Sequence, residues 1–358
     1  MGETMRALRL TGWQAPVAWQ DVPVPEPGPG QVLVEVLATG LCHSDLNVMD
    51  AWAGWLDYPL PFTLGHEVAG RVVATGSGVD SHWDGRRVVV HGVWSCRTCR
   101  NCLRGRENHC LTLGRTERGL PRIGCGLGWD GGLAPYLLVP SPDFLVRADG
   151  VDPTVLAPLA DAGLTAYHAV RQHADLLDGN SVCVVVGVGG LGHLALQVLR
   201  ELGCGTVLAA DTRAAARDLA ARLGADHVVD DVDRLRGTTR ALGGADVVLD
   251  FVVSPDTVAT AAELLASGGR LVMVGAGGGR LVTGKDGRLP TGWQVSAPFW
   301  FWGTRAGLVE VVRLAAAGRL RPETEVHRLE DALDVYARLR RGDVRGRAVV
   351  VPRSEAVR

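Results

Sequence analysis

From residue 181 onward, short apolar runs alternate with segments of helical period. Ser181–Val186 is a continuous apolar run of strand length, the mark of a strand buried on both faces. Leu191–Leu202 then spaces its apolar residues as a helix does, Thr206–Ala210 is a second buried strand, Ala214–Leu223 an alanine-rich helix, and His227–Val229 a third strand. Val247–Phe251, a helix near Thr257–Ala266 and a strand at Arg270–Val274 continue the series. Such repetition predicts an α/β fold, with a parallel sheet covered by helices on both faces.

The first 160 residues carry a different pattern. Val32–Leu37, Val68–Ala74 and Arg87–His91 are short β-branched runs, separated by glycine and proline clusters at 23–30 and 76–78. They predict mostly β-structure with many turns. The tail from about Gly303 differs again, with a helix at Gly307–Ala317, an acidic helix near Glu330–Arg340 and a last strand at Arg347–Val351. A length of 358 residues favours two domains. The expected layout is a discontinuous mostly-β domain, 1–162 with 304–358, around a doubly wound coenzyme domain, 163–303.

Composition narrows the class. A hydrophobic fraction of 47% and a charged fraction of 21% fit a soluble globular protein. The net charge of −2 gives no support to a nucleic-acid partner. Met1–Leu10 is charged and lacks the apolar core of a signal peptide, and no apolar run reaches membrane-spanning length. No membrane partner is expected, and cytoplasmic residence follows by default.

Gly187-Val188-Gly189-Gly190-Leu191-Gly192 fits G-x-G-x-x-G, directly after a strand and opening a helix. The first glycine permits the tight turn, the second lets backbone approach a pyrophosphate, and the third lets helix and strand pack closely. Asp211 ends the next strand, where a carboxylate can bind the adenosine ribose hydroxyls, so NAD is favoured over NADP. Arg213 lies near enough to soften that preference. Val274, closing the strand at 270–274, joins the coenzyme-contacting set.

Cys96, Cys99, Cys102 and Cys110 place four thiols on one polar loop. Four sulfurs close a tetrahedral zinc shell and leave no room for substrate, so this is read as a structural zinc. Cys42, His66 and Asp161 offer a thiolate, an imidazole and a carboxylate, three ligands for a zinc with one position open to water or substrate. Spacing alone does not single them out, because a lone Cys or His is more often core. Asp45 and Glu67, close by in sequence, are the carboxylates that could orient the ligands.

At these residues the chain resembles the zinc-dependent alcohol dehydrogenases of the medium-chain dehydrogenase/reductase superfamily, over essentially its whole length. Gly65-His66-Glu67-x2-Gly70-x5-Gly76-x2-Val79 is similar to the family's zinc signature, and Asp-Ala-Gly-Leu-Thr at 161–165 resembles bacterial NAD-dependent enzymes active on secondary alcohols. The resemblance implies a GroES-like catalytic domain and a Rossmann coenzyme domain. It also implies two zinc ions per subunit, NAD, a small alcohol or ketone as substrate, and a homodimer or homotetramer. It assigns the catalytic zinc to Cys42, His66 and Asp161, and the structural zinc to Cys96, Cys99, Cys102 and Cys110. It makes Ser44 the hydroxyl that passes the alcohol proton toward the nicotinamide ribose, and Glu67 the carboxylate that approaches zinc during ligand exchange. His43 and Arg347 fall on the pyrophosphate, and Thr165 near the nicotinamide.

Two residues depart from the common pattern of that family. Asp161 stands where many relatives have cysteine, and Asn47 where many have a relay histidine. Trp52, Trp55, Trp94, Trp300 and Trp302 are candidate pocket walls, which would suit an apolar substrate. Two other readings stay open: a quinone or enoyl reductase on the same fold, and a non-catalytic NAD(H)-binding protein with zinc only as a staple.

Overall fold

The computed structural model describes residues 2–282, 294–296 and 302–352. The chain divides into two compact units, Met1–Leu164 with Trp302–Arg358, and Thr165–Phe301.

In the first unit a seven-stranded sheet runs in the order Leu145–Arg147, Arg87–Val90, Glu67–Thr75, Val32–Leu41, Arg347–Val351, Thr324–Arg328, with Tyr136–Val139 also paired to Val32–Leu41. All pairings are antiparallel except the last, between Thr324–Arg328 and Arg347–Val351. β-Branched residues dominate because their stiff side chains pack well on a pleated surface. Leu8, Leu41, Leu64, Leu133 and Val349 are fully buried in this unit's core. The helix Ala332–Arg341 follows, with Val335, Tyr336 and Leu339 buried on one face and its arginines outward. Two helical segments present the candidate ligands. One is the short helix His43–Met49, with Cys42 as its N-cap. The other is a π-helical turn, Leu159–Gly163, that follows the helix Pro153–Pro158.

The second unit carries the alternation read from the sequence. Six parallel strands run in the order His227–Val229, Thr206–Ala210, Val182–Val186, Ala245–Asp250, Leu265–Met273, Gln294–Ser296. Outward from Val182–Val186 this is the doubly wound order 3-2-1-4-5-6 of a Rossmann sheet. Val184, Leu208, Val248 and Leu271 are wholly buried, as a sheet covered on both faces requires. Within the alternation from residue 181 onward, one described helix, Val232–Ala241, went unread in the sequence. Only Leu235 and Thr239 of its residues are buried, so its apolar stripe is too thin to register. Among the described residues no helix is long and apolar enough to cross a membrane.

Candidate metal and coenzyme sites

Cys42, His66, Glu67 and Asp161 come from three separate elements, yet their donor atoms all lie within 4.8 Å of one another, and all four residues are buried. The register explains part of this. Glu67 opens the strand Glu67–Thr75 directly opposite Gly40 of Val32–Leu41, one residue before the Leu41–Cys42 corner. The extra residue of a π turn re-aims the side chains around it, and such turns recur at functional sites. Here it brings Asp161 Oδ2 to 3.6 Å from Cys42 Sγ and 3.4 Å from His66 Nε2.

Asp45 organises the centre. As the third residue of its helix, it accepts the Cys42 backbone N–H at 2.9 Å. It also accepts from His66 Nδ1 at 2.9 Å and from the Tyr336 hydroxyl at 2.8 Å. With its proton on Nδ1, His66 turns the lone pair of Nε2 toward Cys42 and Asp161. That buried Nε2 has no hydrogen-bond partner. Burial disfavours the imidazolium, but the Asp45 charge, with Asp161 and Cys42 beside the ring, outweighs it and holds the His66 pKa well above its ordinary value. A pocket that attracts a proton this strongly suits a cation, and a thiolate with a carboxylate neutralises a dication. The donor set fits a zinc ion with three protein ligands.

Glu67 is wholly buried beneath this cluster. One carboxylate oxygen pairs with the Arg347 guanidinium and lies 3.3 Å from the Ala162 N–H, while Oε2 has no partner. Burial pushes its pKa up to about 6 against the pull of Arg347. Arg347 is 3% exposed, and its Nη1 lies 4.0 Å from Cys42 Sγ. The structure pairs Arg347 with Glu67; its contact with the pyrophosphate is what the resemblance implies. Burial weakens the charged guanidinium, but Glu67 and Cys42 more than restore it, raising its pKa.

The four cysteines form a second cluster, their sulfurs also within 4.8 Å of one another. Sγ separations are 3.5 Å for Cys99–Cys102 and 3.9 Å for both Cys96–Cys102 and Cys99–Cys110. A tetrahedron with Zn–S bonds of about 2.3 Å has edges of about 3.8 Å, so the set fits zinc. Backbone N–H groups of Cys96 and Cys99 point at Cys110 and Cys96 sulfurs at 3.3 Å, as thiolates require. Hydrogen bonds from the Thr98 and Cys99 backbone bring the Cys96 thiol down to about 6.

In the second unit, Gly187 has φ 86°, which only glycine adopts at little cost, and any Cβ on Gly192 would overlap the Gly187 carbonyl oxygen. Gly189 and Gly190 complete the turn, and Leu191 is the N-cap of the helix Gly192–Glu201. Asp211 accepts the Val188 N–H at 2.8 Å, and Arg213 grips the same carboxylate through Nε at 3.1 Å and Nη2 at 3.0 Å. Burial opposes the Asp211 charge, but these partners outweigh it and hold its pKa below the usual carboxylate range. Val274 lies just past the strand Leu265–Met273 and donates its N–H to Asp250 O at 2.8 Å. Thr165 is half-buried.

The remaining candidates are placed as follows. Ser44 is half-buried with Oγ 3.7 Å from Cys42 Sγ, His43 is exposed, and Asn47 is half-buried. Trp52 is 58% exposed and stacks on Trp55 at 5.3 Å. Trp94 packs against Trp129 and Phe144. Trp302 meets the His66 ring. Trp300 lies outside the described residues. Sequence reasoning missed Tyr336, whose bond to Asp45 spans 291 positions, and Gly40, where a Cβ would overlap the Glu67 carboxylate. An unpunctuated glycine within a β-branched run was the available signal for Gly40.

A cluster of Cys, His and Asp able to hold a metal in one unit, and a Rossmann sheet with a glycine turn in the other, define the class of zinc-dependent dehydrogenases. The Alcohol dehydrogenase GroES-like domain family matches residues 28–149, and the Zinc-binding dehydrogenase family matches residues 190–306. The chain is 34% identical to an NAD-dependent alcohol dehydrogenase of Sulfurisphaera tokodaii, over 97% of this chain and all of that one. Among solved structures it is similar to the alcohol dehydrogenase of Aeropyrum pernix, with 35% identity, a TM-score of 0.86, and 97% of this chain and 100% of that one covered. It is also similar to an acetophenone reductase of Geotrichum candidum in complex with NAD, with 32% identity, a TM-score of 0.84 and 98% of each chain covered. The chain belongs to the zinc-dependent alcohol dehydrogenases of the medium-chain dehydrogenase/reductase superfamily, and it is an oxidoreductase.

Proposed function

We propose that this enzyme interconverts apolar secondary alcohols and ketones with NAD, holding one zinc at Cys42, His66 and Asp161 and a second at the four cysteines. The observation that carries the reading is the convergence of three buried donors, Cys42 Sγ, Asp161 Oδ2 and His66 Nε2, the last on a ring whose opposite nitrogen Asp45 fixes. When bound, the zinc supplies Lewis acidity to the substrate oxygen and the nicotinamide supplies the hydride chemistry. The relative named acetophenone reductase supports a ketone with an apolar substituent.

This chain's residues do the rest. Cys42, His66 and Asp161 fix the position of the substrate oxygen. Ser44, on the helix that Cys42 caps, offers its hydroxyl to the substrate proton. Asn47 has no titrating group, so that proton reaches water without a histidine relay. Asp211 and the glycine turn hold the coenzyme, with Thr165, Val274 and His43 completing its contacts. The Arg347–Glu67 pair keeps Glu67 charged and available beside the ligands. A cytoplasmic homodimer or homotetramer is the assembly that goes with this reading.

The metal-ligand set disfavours a quinone or enoyl reductase, which has no need of it, and a hydroxyl at Ser44 beside Cys42 disfavours a non-catalytic binder. The test is NADH formation by zinc-replete enzyme on matched secondary and primary alcohols. A secondary preference of about tenfold, about 1.4 kcal/mol in the barrier, is expected. A primary preference discards the secondary-alcohol assignment, and turnover of neither overturns the proposed activity.

A further inference from the structure

The indole of Trp302 and the imidazole of His66 meet in a T-shaped contact, with ring centroids 5.5 Å apart and planes at 79°. Trp302 is 7% exposed and holds φ at 29°, a left-handed backbone that is costly for a bulky side chain. Gly92 makes room for it: a Cβ there would come within 3.2 Å of Cζ2 and 3.4 Å of Cε2. Strained backbone persists only where the surroundings over-determine it. Here the next residues are tied down on two sides. The Gly303 carbonyl accepts from His91 Nε2 at 3.0 Å. Arg305, first residue of the helix Arg305–Ala316, donates its backbone N–H to Glu107 Oε1 at 2.5 Å, a carboxylate at a helix N-terminus. Glu107 lies between Cys102 and Cys110, and its own carbonyl accepts the Cys110 N–H at 3.0 Å.

We propose that Trp302 is a positioning residue for His66, and that Glu107 anchors the segment carrying Trp302 to the four-cysteine loop. The inference rests on the reading of Cys42, His66 and Asp161 as metal ligands. Its physical content is a missing constraint. The Asp45 hydrogen bond fixes where Nδ1 lies, but a single N–H···O bond leaves the ring free to rotate about its own axis. The perpendicular indole removes that rotation and aims Nε2. Glu107 makes the aim depend on an ordered cysteine loop, so the structural cluster supports the catalytic one through Arg305, Gly303 and Trp302.

The test uses full-length enzyme with zinc in the four-cysteine site and cobalt(II) at Cys42, His66 and Asp161. The visible absorption of the cobalt and its release rate to a chelator are read in Trp302→Leu, Trp302→Phe and Glu107→Gln. Groups that orient metal ligands typically change metal affinity by about 10–100-fold. We expect Trp302→Leu to alter the spectrum and speed release about tenfold or more. Trp302→Phe, which keeps an aromatic ring, should restore most of both. Glu107→Gln should speed release while the four-cysteine zinc is retained. A folded Trp302→Leu with wild-type spectrum and release overturns the inference. If that variant does not fold, Trp302→Phe and Glu107→Gln both at the wild-type rate overturn it equally. Wild-type enzyme that takes up no cobalt outside the four cysteines overturns the metal-site reading, and this inference with it.

Discussion

Asp45 and His66 meet through Oδ1 and Nδ1 at 2.9 Å, and neither side chain touches water. The same carboxylate takes the Cys42 N–H and the Tyr336 hydroxyl, so one buried group holds two candidate ligands and a distant helix. Asp45→Asn keeps the shape but removes the charge and an acceptor. Zinc affinity at this centre is expected to fall about 10–100-fold, measured as zinc retained per chain in chelator-buffered solution, with the four-cysteine zinc unchanged. Equal retention in mutant and wild type contradicts the role given to Asp45.

The two metal sites should differ in lability. One has four sulfurs, with backbone N–H groups directed at the thiolates, and the other has a single sulfur and a carboxylate. Graded chelation is expected to remove the metal of Cys42, His66 and Asp161 first, abolishing turnover while one zinc per chain remains. Simultaneous loss of both in a metal-counting titration goes against this ordering.

Coenzyme choice should follow Asp211. Its carboxylate is held in place by Val188 and Arg213, ready for ribose hydroxyls and repelling a 2′-phosphate. NAD is expected to exceed NADP in kcat/KM, and Asp211→Ser should narrow the ratio by about tenfold or more, about 1.4 kcal/mol. Equal or better kcat/KM with NADP in the wild type sinks the assignment.

His173 should make the coenzyme unit sensitive to acid. Burial, and secondarily the Arg270 charge, bring its pKa from 6.5 down to about 4. The folded state therefore binds this proton less readily than the unfolded chain. Its contribution to stability is present above pH 6.5 and is lost as pH falls toward 4. His173→Gln is expected to flatten the pH dependence of the melting temperature between pH 6.5 and 4. An unchanged slope in that window excludes His173 as its source.

Much of this arrangement was legible in the chain itself, and the parts that were not share a cause. The strands at 182–186 and 206–210 and the turn at Gly187–Gly192 are local patterns, set by residues a few positions apart. The four cysteines are equally local. Asp161 was readable only as a residue type in a known segment, because the π turn that aims it depends on packing rather than on its own sequence. Tyr336 and Arg347 were harder still. A tyrosine on an amphipathic helix and an arginine opening a strand look ordinary until folding sets them against Asp45 and Glu67. Long-range pairing of polar groups leaves no periodic trace.

The strand Arg347–Val351 lies between Val32–Leu41 and Thr324–Arg328, one strand in from the edge of its sheet. This order sets a timetable during synthesis. By the time Asp161 leaves the ribosome all three candidate ligands exist, but Arg347, the counter-cation of Glu67, is still 186 residues away. At about 5–20 residues per second that gap lasts roughly 10–40 seconds. Until then the sheet lacks an inner strand, and a buried carboxylate lacks its partner. A nascent fragment that carries Cys42, His66 and Asp161 therefore still lacks the cation that pairs with Glu67 beside them.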